Sequence, residues 1–164
     1  MFLPLSDDRN LSIPGINPVE VLTEIRGVRS AESGGIGFAR EIRAHKEAES
    51  LAIWADDRGL LSTRCRPPEA DELTGGEHLV ELEENTGRVF KSTLPGKYGF
   101  AVDIEMVHPK SRSSKPRITV GLVDATPDEY LARLAWQNGV FGDNTRVVGV
   151  VRYPQGLSVL TTQP

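Results

Sequence analysis

A single cysteine, Cys65, stands in the 164 residues, so no disulfide closes within the chain and no cysteine cluster holds zinc. Histidine is equally sparse: His45, His78 and His108 lack the tight spacing of metal ligands. No apolar run approaches the roughly 20 residues that cross a bilayer, and the N-terminus has neither a basic start nor a long apolar stretch. Positive charge is not in excess either. The formal net charge of -4 argues against broad electrostatic capture of nucleic acid or anionic lipid. Together these absences predict a cytoplasmic protein with no membrane partner.

What is present has globular proportions: 38% of residues are hydrophobic and 26% charged, which is neither a disordered nor a fibrous composition. Charge divides the chain. Residues 1 to 73 hold 9 basic and 13 acidic side chains and residues 74 to 164 hold 10 of each, so the acidic excess lies wholly in the first part.

Residues 1–35 contain Pro4, Pro14 and Pro18 and end in Ser33-Gly34-Gly35, the composition of an arm or linker, with one helix-compatible run from Val19 to Arg26. Residues 36–73 predict a helical extension. Ala44, Ala48, Leu51, Ala52 and Ala55 recur at helical spacing, Trp54 and Ile53 lie beside that stripe, and Gly59 marks the stop. Arg43, Glu47 and the neighbouring charges fall mostly off the stripe and read as a solvated face. The segment RCRPPEADELTGG then breaks regular structure.

Residues 74–164 predict a small α+β domain. His78–Glu83 and Arg88–Thr93 alternate as strands around Asn85-Thr86-Gly87, and Tyr98–Val107 and Arg117–Val123 form a second hairpin around a polar loop. Thr126-Pro127-Asp128-Glu129 is a helix start with threonine as cap, proline in the first turn and glutamate three residues on; Gly139 reads as the stop. Two final strands follow, Thr145–Tyr153 and Leu157–Thr162, joined by Pro154-Gln155-Gly156.

The stretches GGEHLVELEENTGRVFKSTLPGKYG, TPDEYLARLAWQNGVFGDNTRVVGV and GLSVLTTQP place a Gly-Gly start, a V-x-K strand, a P-x-E-Y-L helix and a terminal T-x-Q-P in a fixed order. In that order the chain resembles the N-terminal lobe of the protein-kinase-like fold. More narrowly, it resembles the serine/threonine/tyrosine-kinase-like domain of polyvalent proteins from phages and other mobile elements, over about residues 74 to 164. The resemblance implies a largely antiparallel sheet of about five strands with one packed helix. It also implies ATP with Mg2+ as ligand.

On that resemblance, backbone groups near Gly75, Gly76 and His78 approach the phosphates, and Lys91 holds them as a compact positive charge. Glu129 would orient Lys91, while Thr162 and Gln163, after Thr161, would reach the segment that meets adenine through backbone groups. Plainer roles stand beside each. The glycine pair makes a turn, His78 packs on its strand, and Lys91 lays its stem on apolar surface with its head in water. Glu129 folds back on Thr126 as a capping box. Phe141-Gly142-Asp143 is a turn rather than a metal-binding motif.

No catalytic residue is expected in this chain, because the aspartates of a kinase large lobe do not occur in it, and the chain alone is expected to be inactive. A different class of function is a non-catalytic interaction module, docking a protein partner or a second copy through lobe surface that a large half would otherwise cover. Lys110, Arg112, Lys115 and Arg117 form a basic hairpin tip, but without aromatic residues to stack on bases it reads as solvated rather than as a nucleic-acid site.

Overall fold

The computed structural model describes residues 15–30, 40–66, 77–83, 86–107 and 115–164. The fold is α+β. Three helices, α1 (Pro18–Ser30), α2 (Arg40–Asp57) and α3 (Pro127–Phe141), share one core with a sheet of five strands. These strands are β1 (Leu61–Thr63), β2 (His78–Glu83), β3 (Arg88–Thr93), β6 (Arg146–Tyr153) and β7 (Gly156–Gln163), in the order β1-β6-β7-β3-β2. Strands β4 (Phe100–Val107) and β5 (Arg117–Asp124) pair only with each other. Among the described residues no helix is long and apolar enough to cross a membrane.

The sheet is mixed: β1 runs parallel to β6, and the other neighbours are antiparallel. Side chains on a strand alternate between faces, so Val147 and Val150, three apart, would normally point opposite ways. A register shift between Val147 and Gly149 lets both turn inward, where they meet Leu157 and Val159 of β7. Val21 and Ile25 of α1, Leu51 and Trp54 of α2, and Tyr130 and Leu131 of α3 complete this cluster. Val21, Ile25, Leu51, Leu131, Val147, Val150 and Val159 have essentially no exposed surface, which identifies the centre of the core.

Three expectations are corrected here. The segment read as an arm contributes α1 to the core, because Pro18 occupies the first helical position, where a missing N–H costs nothing, and Val21, Leu22 and Ile25 then share a face. The sheet therefore carries three helices rather than one. Tyr98–Val107 and Arg117–Val123 do form a hairpin, but it makes a sheet of its own.

Helix ends follow their local chemistry. Gly59 closes α2 in a left-handed conformation, its N–H donating to the Asp56 carbonyl while Leu60 N–H reaches Ala55. Gly139 does not stop α3, which continues to Phe141; the left-handed Gly142 is the cap, and its N–H bonds the Asn138 carbonyl.

Candidate nucleotide cleft

A cleft of about 510 Å³ opens between α3 and the β2–β3–β7 part of the sheet. Lys91 enters it from β3, and Val80 and Thr161, its direct neighbours on β2 and β7, line the same space. The alternation read from the sequence thus puts the amine on the helix side of the sheet. Its ammonium donates to Gln163 Oε1 at 2.9 Å. Lys91 is half-buried.

From α3 come Tyr130, Arg133 and Gln137, spaced at i, i+3 and i+7 along one face. Tyr130 is buried, and its hydroxyl lies 3.2 Å from His78 Nε2 and hydrogen-bonds the Thr161 side chain. Burial pushes the phenol up to about 12, with Glu77 adding to the rise and the Thr161 bond and Arg133 opposing it. His78 moves the other way. Burial lowers its pKa below 6.5, Glu77 works against the change, and the cations of Arg133 and Lys91 reinforce it. A neutral imidazole and a neutral phenol therefore sit beside two cations.

Arg133 has its own counter-ion, donating to Glu77 Oε2 at 3.1 Å, and also reaches the carbonyl of Tyr98. Gly99 is required beside this pair: its φ is +78°, and an added Cβ would lie 2.6 Å from the Glu77 carboxylate. Lys91 has no such counter-ion among the described residues. Asp143 also lines the cleft, beyond the end of α3. No group of three or more His, Cys, Asp or Glu residues gathers as a metal site among the described residues.

Glu129 is not brought to Lys91. Its carboxylate pairs with Arg40 and, at 3.0 Å, with Arg43, both from α2, and it accepts the Thr126 backbone N–H at 2.9 Å in a capping box. The capping role open in the sequence is realised, and two arginines take the carboxylate that the kinase comparison would give to the lysine. Glu47, expected on a solvated face, is buried here and accepts the Asp128 backbone N–H. It satisfies a donor that the first turn of α3 cannot pair internally.

Thr162 does not line the cleft with its side chain. It alternates with Thr161 and Gln163, so its side chain lies on the face away from Lys91, where its hydroxyl is buried without a hydrogen-bond partner among the described residues. Its backbone lies between Phe90 of β3 and Arg146 of β6, so it is flanked by strands on both sides. Gln163 and His78 do line the cleft, while Gly75 and Gly76 lie outside the described residues. Tyr130, Arg133 and Gln137 were not anticipated as site residues, although their helical spacing was there to be read.

No protein-family model, no curated protein and no solved structure matches the chain.

Proposed function

We propose that this chain is a kinase-like small-lobe module, of the kind found in polyvalent proteins, and that its cleft binds the phosphates of a nucleotide such as ATP. The observation that carries the reading is the Lys91 ammonium, turned to the helix side of the sheet and held there by a neutral amide. A cation oriented by an amide keeps its charge for an anionic ligand, whereas a carboxylate partner would already neutralise it. Two further features agree with it. The chain order on which the resemblance rests, two strands with the lysine on the second, a ribbon, α3 and two final strands, is kept in the fold, and the cleft volume falls in the range of small-molecule sites.

Mg2+ would accompany the nucleotide on its phosphate oxygens; Asp143 lines the cleft, but it belongs to the turn that caps α3 and is assigned no metal role. Arg133, already paired with Glu77, would steady the phosphate side rather than supply its main charge. The proposal is confined to binding and assigns no catalytic residue in this chain.

Calorimetric titration with ATP and Mg2+ tests it. Binding is expected in the wild type, weakened about tenfold or more by Lys91→Ala, in line with loss of one charge-assisted contact. Absence of heat at millimolar nucleotide in the wild type overturns the proposal, as does equal affinity in the variant.

A further inference from the structure

We propose that the β4–β5 ribbon is a dimerisation arm, whose apolar face packs on the same face of a second copy of the chain. The register of the ribbon sorts its side chains cleanly. Val102 opposes Leu122, Ile104 opposes Val120 and Met106 opposes Ile118, and Phe100 continues the row on β4. By alternation these seven side chains occupy one face. Each is between 56% and 74% exposed. Asp124, opposite Phe100, is the one charged residue on this face and stands at its base; the other face begins with the half-buried pair Ala101–Val123 and continues as Asp103–Gly121, Glu105–Thr119 and Val107–Arg117. Beyond the base of the ribbon, one side is thus mostly polar and the other wholly apolar.

A scattered exposed valine needs no explanation, but a contiguous face does. Seven side chains of this size, each more than half exposed, present roughly 700 Å² of apolar surface, more than monomers commonly leave open and close to the ~800 Å² that each partner gives to a standard interface. An area of that order is what a stable dimer buries on each partner.

The identity of the partner follows from the pattern. The three cross-strand pairs carry no charge and no side-chain hydrogen-bonding group, so nothing in them selects a different protein. They are also nearly symmetric about the Ile104–Val120 pair. A second ribbon turned end for end about that pair brings Val102 and Leu122 of one copy onto Met106 and Ile118 of the other, and the reverse, as a two-fold interface demands. This arrangement places the two globular bodies at opposite ends of the paired ribbons. Insertion into a bilayer is disfavoured, because both outer edges of the two-stranded ribbon would leave backbone N–H and C=O groups unpaired in hydrocarbon.

Sedimentation of the full chain from low to high micromolar concentration provides the test. A monomer–dimer equilibrium is expected, weakened about tenfold or more by Ile104→Glu and by Val120→Glu, as for central interface positions. Thr119→Glu, on the opposite face, should leave it unchanged. The ribbon lies outside the core, so thermal unfolding of the glutamate variants should remain cooperative and show that the body is folded. In a Cys65→Ser background, Ile104→Cys should be cross-linked between copies by a short bis-maleimide, and Thr119→Cys should not. A wild type that stays monomeric throughout overturns the proposal, as does a dimer that survives both glutamate substitutions. Monomers that co-sediment with anionic vesicles through this face overturn it in favour of a lipid surface.

Discussion

Lys91 reaches diagonally across the β3–β7 ladder to Gln163, two residues beyond the Thr161 that stands directly opposite it. Thr161 meanwhile donates its hydroxyl to the Lys91 carbonyl. Backbone and side chain of Lys91 are therefore both tied to β7, and the amine is aimed without being neutralised. Glu129, the other candidate for that task, is held at the far side of its helix start by Arg40 and Arg43.

Gln163→Glu should replace an orienting amide with a competing anion. If Lys91 serves phosphate, this substitution lowers nucleotide affinity about tenfold, by the full cost of a new ion pair in a half-buried site, and Gln163→Ala lowers it less. Calorimetry of the two variants side by side reads the difference. An affinity that rises in Gln163→Glu would contradict the role given to the amide.

Glu129→Ala removes a reciprocal cap and the meeting point of two arginines. Stability should fall by about 1–2 kcal/mol, most of it from the cap, since the arginine pairs are partly exposed and screened. Denaturant unfolding measures this. Nucleotide affinity in the folded variant should stay within a factor of about two, unlike that of Lys91→Ala. Unchanged stability together with lost affinity would instead make Glu129 part of the ligand site.

His78 makes stability depend on pH below neutrality. Its native pKa is lowered, so between that value and the ordinary 6.5 the unfolded chain binds more protons than the native one. Stability should decline as pH falls from 6.5 through this window and then level off below the native pKa. His78→Gln should flatten the decline in denaturant melts recorded across the window. A wild type whose stability rises with acidity there would mean that His78 is charged in the fold.

Tyr130 acts at the opposite end of the scale. The fold keeps its phenol neutral, so the stabilisation is complete below the ordinary value of 10 and is lost as pH rises from 10 towards about 12. Tyr130→Phe should cost about 1 kcal/mol near neutrality through its lost hydrogen bonds, yet soften the alkaline decline. Softening rather than abolition is expected, because Tyr98 and Tyr153 are also raised by burial. Phenolate absorbance during alkaline titration follows the same event.

Local signals in the sequence were legible where a few adjacent residues decide the outcome. Thr126, Pro127 and Glu129 announced the start of α3, and a period of two was enough to turn Lys91 inward. The partner of Glu129 was not legible, because Arg40 and Arg43 lie more than eighty positions away and only the packing of α2 beside α3 brings them close. Glu47 misled for the same reason: its carboxylate is buried to serve a helix start that the sequence of α2 does not contain. Between Gly139 and Gly142, both plausible stops, the choice fell to the residue that adopts the left-handed conformation and closes the last turn. The kinase resemblance pointed to Lys91 and Glu129 together, and the fold brings only Lys91 to the cleft, while Glu129 pairs with Arg40 and Arg43.

Because β1 runs along the outer edge of β6, and α1 and α2 roof the hydrophobic side of β6 and β7, the smallest autonomous piece of this protein cannot begin at residue 74. A chain shortened to that point would lose Val21, Ile25, Leu51 and Trp54 and would bare Val147, Val150 and Val159 to solvent. Such a fragment should collect in inclusion bodies.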